Sequence, residues 1–143
     1  MKNSVPFKIL LADDDTDDCQ LFEKALKEIP IATRLKTVSN GEYLMDYLLN
    51  NLTDLPDILF LDLSMPQKTG YECLIEIKEN KNLEAIPIFI FTTSIPRDIV
   101  AEVKLSNTLM KFGALDYVRK PVDFEELKYA IHQALIKVIE KVA

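Results

Sequence analysis

The chain has 143 residues, of which 48% are hydrophobic and 28% are charged, and its formal net charge is −6. This length suits one globular domain with a substantial core. The acidic balance argues against nucleic-acid binding, which favours a basic surface, and no apolar run is long enough to cross a bilayer. Cys19 and Cys73 lack metal-ligand spacing and no signal peptide is recognisable, so we expect a reduced, cytoplasmic protein.

Short apolar runs alternate with segments of helical periodicity along the whole chain. The runs predict five buried strands, at 7–12, 35–38, 58–61, 86–91 and 115–119. Helical spacing of apolar residues follows each run, and the region 96–112 is predicted as an irregular helix. Five successive strand–helix units predict an α/β fold, a doubly wound parallel sheet with helices on both faces. Without a linker or repeat, we expect a single domain over 1–143 with its core at about 7–140.

Polar side chains follow the predicted strands at the edge where such sheets bind ligands. Asp13 and Asp14 follow the first strand, Asp62 the third, Thr92 the fourth and Lys120 the fifth. Clustered carboxylates favour a divalent cation such as Mg²⁺, which also takes phosphate oxygens as ligands. A carboxylate can accept a phosphoryl group, and an ammonium group balances the added charge. The pattern therefore predicts a site for a divalent cation and a phosphoryl group.

Four motifs and their order give the chain a family resemblance over about residues 7–140. They are LLADDD at 10–15, LFLDLSMP at 59–66 followed by Gly70, PIFIFTTS at 87–94, and GALDYVRKP at 113–121. With these motifs the chain resembles the receiver domain of bacterial two-component response regulators. The similarity is to the flavodoxin-like, chemotaxis-regulator type, and the lack of an output domain in the sequence suggests a stand-alone receiver.

The resemblance implies a phosphoacceptor and a set of metal ligands. Asp62 would accept the phosphoryl group. Asp14 and Asp62 would bind Mg²⁺ directly, or Mn²⁺ in its place, and Asp13 would act mainly through water. The backbone carbonyl of Ser64 would be a further ligand.

The same resemblance assigns the residues that respond to phosphorylation. Lys120 would pair with the phosphoryl group, and Thr92 would be the switch hydroxyl. Tyr117 would turn inward once Thr92 moves. The family also implies a cis peptide bond between Lys120 and Pro121, which would shape a tight turn below the site.

The implied partners are proteins. A sensor histidine kinase or a histidine phosphotransfer protein would supply the phosphoryl group, and the chain would catalyse only its own phosphorylation and dephosphorylation. The signal would pass to a downstream target or relay by altered binding. The face formed by the fourth helix, fifth strand and fifth helix would carry this output, and it would also be the surface for a homodimer. We expect neither nucleic-acid binding nor membrane insertion.

Several other interpretations compete with this one. Asp15 to Asp18 suit a helix start, where a cap and negative charge are favourable. An EF-hand would need Gly and Glu where the sequence has Asp18 and Lys24. A haloacid-dehalogenase-type phosphatase would leave Asp62 unused, and Thr16 comes one position too early for its first motif. A receiver that docks without being phosphorylated remains open as an alternative.

The spacing between two site residues departs from the family pattern. Thr92 and Lys120 are separated by several residues more than is usual in receivers. The excess would either lengthen the fourth helix or form a loop before Gly113. Because this segment belongs to the expected signalling face, it would affect the choice of partner.

Overall fold

The computed structural model describes residues 5–93 and 95–142. Strands and helices alternate along this part of the chain. In chain order they are β1 (Phe7–Ala12), α1 (Thr16–Lys27), β2 (Thr33–Val38), α2 (Gly41–Leu49), β3 (Ile58–Leu61), α3 (Gly70–Glu79), β4 (Ile88–Thr92), α4 (Ile99–Lys111), β5 (Asp116–Arg119) and α5 (Phe124–Val142).

The five strands form one parallel sheet in the order β2-β1-β3-β4-β5. The predicted doubly wound, flavodoxin-like α/β fold is therefore confirmed. The chain leaves β1 in one direction to form β2 and returns past β1 to form β3. The strand order thus reverses between β1 and β3, and crevices for ligands form at the carboxyl ends of strands at such a point.

Each central strand sends alternate side chains into two hydrophobic layers. In β3, Leu59 and Leu61 join the layer covered by α2, α3 and α4, whereas Ile58 and Phe60 join the layer covered by α1 and α5. The rings of Phe22 in α1 and Phe60 pack edge to face with centroids 5.0 Å apart. Burial on both faces explains why these strands are continuously apolar in the sequence.

Two predicted strand boundaries are wrong by two residues. β2 begins at Thr33 because Thr33 and Arg34 pair with Phe7 and Lys8 of β1. β4 begins at Ile88 because Pro87 has no N–H to donate to the ladder, although its carbonyl accepts from Leu59 N at 2.9 Å. Sequence periodicity cannot locate such ends, since they depend on the partner strand.

Side-chain caps begin the first four helices. Asp15, Asn40, Thr69 and Asp98 each accept a hydrogen bond from a backbone N–H three residues later, at the starts of α1, α2, α3 and α4. Such caps typically contribute about 1 kcal/mol each. The expected helix start after the aspartate cluster is thus seen, with Asp15 as the cap.

The segment between Thr92 and Lys120 contains α4, a helix of 13 residues that ends just before Phe112 and Gly113. After α4, Gly113 turns the chain with a φ of 102° and β5 starts three residues later, so no inserted loop precedes β5. Arg119 of β5 donates to the carbonyl of Ile95 and, at 3.0 Å, to that of Pro96. These contacts attach the loop before α4 to the edge strand.

α4 contacts the body of the domain through a narrow apolar stripe. Within α4, which the structure describes in full, Leu109 is the one residue classed as buried. Ile99, Val100 and Val103 are instead 77%, 62% and 53% exposed. α4 therefore presents apolar side chains to the outside of the molecule.

None of the helices within residues 5–93 and 95–142 has the length and apolar character needed to span a membrane.

Candidate functional site

The predicted site residues sit at the ends of adjacent strands, where the backbone ladder holds them. Asp13 N donates to Val38 O at 3.0 Å, and Asp62 N donates to Ala12 O at 3.0 Å. Lys120 N donates to the carbonyl of Thr92 at 2.9 Å. The hydrogen bonding of the sheet thus continues into the site, which fixes these backbones relative to one another.

Side chains from three strand ends meet at Asp62. Thr92 Oγ1 donates to Asp62 Oδ1 at 2.6 Å, and Lys120 Nζ donates to Asp62 Oδ2 at 3.2 Å. Lys120 Nζ also donates to Asp13 Oδ2 at 2.6 Å. Asp13, Asp62 and Thr92 are buried, with at most 5% of each residue exposed. Hydrogen bonds to charged groups in such surroundings are strong.

Three carboxylates form a group suited to a divalent cation. Oxygen atoms of Asp13, Asp14 and Asp62 all lie within 4.8 Å of one another. Asp14 is exposed, whereas the other two are buried, so the group opens to solvent on one side. Hard cations such as Mg²⁺ prefer oxygen ligands of this kind and retain waters on the open side. The donor set therefore fits a divalent cation.

The electrostatics of Asp13 and Lys120 reflect this crowding. Burial raises the pKa of the Asp13 carboxyl to about 6, against the opposing influence of its hydrogen bonds with Lys120 and Asp15 N. Burial alone would lower the pKa of Lys120. The hydrogen bonds to Asp13 and Asp18 and the charges of Asp13 and Asp62 outweigh this, so the pKa of Lys120 is raised. Lys120 is thus a firmly charged ammonium group within the site.

The loop after β3 packs directly around Asp62. Ser64 N donates to Asp62 Oδ1 at 3.2 Å. Gly70, the first residue of α3, lies so near that a Cβ placed on it would be 2.1 Å from the Asp62 carbonyl oxygen. Ser64 is therefore next to the phosphoacceptor candidate, while its role as a metal ligand stays a prediction.

Tyr117 connects β5 to α4. Its ring is partly buried, and its hydroxyl donates to Glu102 Oε2 at 3.2 Å. Arg119 Nη2 lies 3.9 Å from the other carboxylate oxygen of Glu102. Glu102 thus joins α4 to two side chains of β5, those of Tyr117 and Arg119, and the sequence does not predict these contacts.

The Lys120–Pro121 bond is trans, since the described residues contain no cis peptide bond. The expectation of a cis bond is wrong for this structure. Trans is the intrinsically favoured isomer of an X–Pro bond. With this bond in the trans form, the Lys120 side chain still reaches Asp62.

Asp18 is a site residue that the sequence interpretation missed. Lys120 Nζ donates to Asp18 Oδ2 at 2.8 Å, whereas we expected Asp18 mainly to support the helix start. A signal was present, because Asp18 lies four residues before the buried Phe22 and so on the inner face of α1. A carboxylate on the buried face of a helix needs a partner.

A family model described as "Response regulator receiver domain" matches residues 9–132. The chain belongs to the response regulator receiver domains. The predicted family is thereby confirmed, and with it a place in two-component signalling. Receivers in general interact with histidine kinases and downstream targets.

Two curated relatives share about a third of their aligned residues with this receiver. A protein named "Probable methanogenesis regulatory protein FilR2", from Methanothrix harundinacea, is 31% identical over 131 residues, covering 90% of this chain and 81% of the relative. Response regulator Rcp1 from Synechocystis sp. is 33% identical over 109 residues, covering 73% and 74% of the two chains.

Solved structures of similar receivers include a phosphorylated form and a metal-bound form. The phosphorylated cyanobacterial phytochrome response regulator RcpA has a TM-score of 0.75, 28% identity and 91% coverage of both chains. The Mn²⁺-bound form of Rcp1 has a TM-score of 0.72 and 28% identity, with 90% of this chain and 91% of that chain covered. The receiver is therefore similar in fold to proteins seen in both states.

Proposed function

We propose that this receiver accepts a phosphoryl group on Asp62 in a Mg²⁺-dependent reaction. The donor is a phosphohistidine on a sensor histidine kinase or a histidine phosphotransfer protein. The observation that carries the proposal is the convergence of Thr92 and Lys120 on the two oxygens of Asp62, beside Asp13 and Asp14. The phosphorylated state of RcpA supports it by similarity.

In the transfer step, a carboxylate oxygen of Asp62 attacks phosphorus in line with the leaving imidazole nitrogen. The P–N bond breaks with its electron pair remaining on the imidazole, and a new P–O bond gives an acyl phosphate. Lys120 and Thr92 supply N–H and O–H donors to the anionic oxygens. Hydrolysis by water later breaks the bond between Asp62 and the phosphoryl group, which releases inorganic phosphate and returns the free carboxylate.

Asp13, Asp14, Asp62 and the Ser64 carbonyl would hold the metal ion. When bound, Mg²⁺ neutralises charge on the phosphoryl oxygens and on the carboxylates themselves. The Mn²⁺-bound form of Rcp1 supports the binding of a divalent cation by similarity, and Mn²⁺ is expected to substitute for Mg²⁺. Without a cation, the carboxylates would repel the incoming phosphoryl group.

Phosphorylation would change the contacts that connect the site to α4. Thr92 Oγ1 now donates to Asp62 Oδ1, and we propose that it turns to a phosphoryl oxygen instead. Tyr117 then moves inward and its hydrogen bond to Glu102 breaks. The result is a shift between two states of the α4–β5–α5 face.

This face would bind the partner that receives the signal. The exposed apolar residues Ile99, Val100 and Val103 on α4 are typical of surfaces that bind proteins. A downstream target, an onward relay or a second copy of the chain would bind there. Gel filtration with and without beryllofluoride, a phosphoryl analogue, tests the homodimer: a concentration-dependent earlier elution supports it.

The first experiment is incubation with Mg²⁺ and acetyl phosphate, followed by intact mass measurement. We expect the mass gain of one phosphoryl group, and we expect EDTA or the Asp62→Asn variant to abolish it. No gain in the wild-type protein would instead favour a receiver that docks without phosphorylation. Release of phosphate that Asp62→Asn leaves unchanged would favour the phosphatase interpretation. A cytoplasmic location and a single-domain organisation over 1–143 stay predictions of the sequence.

A further inference from the structure

Lys120 is held by three carboxylates, one of which has no assigned role. Its Nζ donates to Asp13 at 2.6 Å, to Asp18 at 2.8 Å and to Asp62 at 3.2 Å. An ammonium group has three N–H donors, so these contacts account for all of them. The Lys120 side chain is 8% exposed and that of Asp18 is 35% exposed. Asp18 therefore meets the buried lysine from the more open side.

Two of these three partners also belong to the group that suits a divalent cation. Asp13 and Asp62 lie with Asp14 in that group, whereas Asp18 lies outside it. An ammonium and a divalent cation that share carboxylate oxygens compete for them and repel each other. A cation that binds Asp13 and Asp62 therefore weakens the hold of these residues on Lys120.

We infer that Asp18 is a positioning residue that keeps Lys120 paired while a divalent cation occupies the carboxylates of Asp13 and Asp62. The inference rests on the metal site of the proposed function. Asp18 gives the ammonium an anionic partner that the cation does not use, so that lysine and cation coexist in the site.

Removing Asp18 would leave Lys120 dependent on the same oxygens as the metal. A buried ammonium without a partner is strongly unfavourable, so Lys120 would retain Asp13 and Asp62 and oppose cation binding. The affinity for the cation should therefore fall in Asp18→Asn. Removing the ammonium as well should abolish this effect, because Asp18 acts only through Lys120.

The chain offers a matched control for the general effect of charge. Asp17 is the other acidic residue in the first turn of α1, and it is exposed. Asp17→Asn removes the same charge from the same helix turn, where negative charge favours the helix start. An effect that is specific to Asp18 must exceed that of Asp17→Asn.

The test is Mn²⁺ affinity measured from the electron paramagnetic resonance signal of free Mn²⁺. Full-length wild type, Asp17→Asn, Asp18→Asn, Lys120→Met and the Asp18→Asn/Lys120→Met double variant are compared. We expect Asp18→Asn to bind Mn²⁺ about 3- to 10-fold more weakly than Asp17→Asn, the range for a partly exposed charge pair. We expect Lys120→Met to bind Mn²⁺ more tightly than wild type. In the Lys120→Met background, Asp18→Asn should change the Mn²⁺ affinity no more than Asp17→Asn changes the affinity of wild type.

Three results would overturn the inference. They are equal losses in Asp17→Asn and Asp18→Asn, a loss from Asp18→Asn that persists in the Lys120→Met background, and no loss at all. If wild type does not bind Mn²⁺, the proposed metal site fails and this inference fails with it, so the two failures are distinguishable. Circular dichroism checks each fold, and Asp18→Ser replaces Asp18→Asn in both backgrounds if the latter does not fold.

Discussion

At the level of residues, the site combines buried charges that would be unfavourable without a ligand. Asp13 is 3% exposed and shares Lys120 with two other carboxylates. Burial of a carboxylate costs free energy unless charges and hydrogen bonds compensate it fully. The raised pKa of Asp13 indicates that Lys120 and the N–H of Asp15 compensate only in part. The unliganded domain therefore contains local instability at its functional centre.

This instability predicts that Asp13→Asn stabilises the metal-free domain at neutral pH. The pKa of Asp13 is about 6 in the folded state against an ordinary 3.8, so the folded state binds the proton more tightly. Protonation of Asp13 makes its full contribution to the free energy of unfolding below about pH 3.8, and this contribution is lost as the pH rises through about 6. In EDTA at pH 7.5, we expect chemical denaturation to show a gain of about 1 to 3 kcal/mol for Asp13→Asn.

The gain should disappear at pH 4, where the wild-type carboxyl is largely protonated. Addition of Mg²⁺ at pH 7.5 should also stabilise wild type more than Asp13→Asn, because the ion compensates the carboxylate. A variant that is less stable than wild type at pH 7.5 in EDTA would show that Lys120 compensates Asp13 completely.

At the level of elements, two helices begin where backbone carbonyls leave no space for a side chain. A Cβ on Gly70 of α3 would lie 2.1 Å from the Asp62 carbonyl oxygen, and one on Gly41 of α2 would lie 2.1 Å from the carbonyl oxygen of Lys68. Both glycines let the start of a helix approach the loop after β3. Only Gly70 touches the residue that we propose to be phosphorylated.

This difference predicts separable effects of two otherwise similar substitutions. Gly41→Ala and Gly70→Ala should each destabilise the domain by about 1 to 3 kcal/mol through forced backbone shifts, as measured by denaturant unfolding. We expect Gly70→Ala alone to slow phosphorylation by acetyl phosphate severalfold at saturating Mg²⁺, because it displaces Asp62. Equal slowing in both variants would mean that the whole loop, and not the contact with Asp62, sets the rate.

The sequence predicts some elements better than others for physical reasons. β1 and β3 are found at their predicted bounds because the apolar run of each buried strand ends at an aspartate, Asp13 after β1 and Asp62 after β3. The predicted helix over 96–112 is observed as Ile99–Lys111, since Asp98 caps it. Residues 95–98, just before Ile99, form a loop held by Arg119, and no local pattern reveals that contact.

For the whole molecule, the site reaches the outer face through β5. Lys120 follows β5 and Tyr117 lies within it, while Tyr117 and Arg119 both approach Glu102 of α4. Under the proposed phosphorylation of Asp62, a motion of Lys120 or Thr92 would therefore reach α4 over a short path of direct contacts. Direct contacts of this kind can couple two binding sites when ligands at both sites favour the same one of two conformational states.

This path predicts that Glu102→Ala favours the phosphorylated-like state. The substitution removes the acceptor that holds the Tyr117 hydroxyl in the unphosphorylated structure. We expect Glu102→Ala to bind beryllofluoride about 3- to 10-fold more tightly in the presence of Mg²⁺, measured by calorimetry. Lys104→Ala, on an exposed position of the same helix, should bind like wild type. Unchanged or weaker binding by Glu102→Ala would exclude a restraining role for this contact.

The strand-end residues could be grouped from the sequence because parallel strands bring their carboxyl ends to one edge. The parallel arrangement of the predicted strands was enough to place four residues together: Asp13, Asp62, Thr92 and Lys120. Asp18 and Glu102 could not be found in this way, because their contacts depend on how α1 and α4 pack on the sheet. Helix packing is a property of the whole molecule, and spacing along the chain predicts it only in part.

The shallow attachment of α4 has a consequence for the resting level of the signal. A helix that rests on the body through Leu109, Leu105 and a few polar contacts needs little free energy to shift. With the two states proposed for the α4–β5–α5 face, the minor state would be populated at roughly 0.1 to 10% without any stimulus. The unphosphorylated receiver should therefore produce a constant background output. The strength of the α4 attachment would set the ratio of the output after phosphorylation to this background.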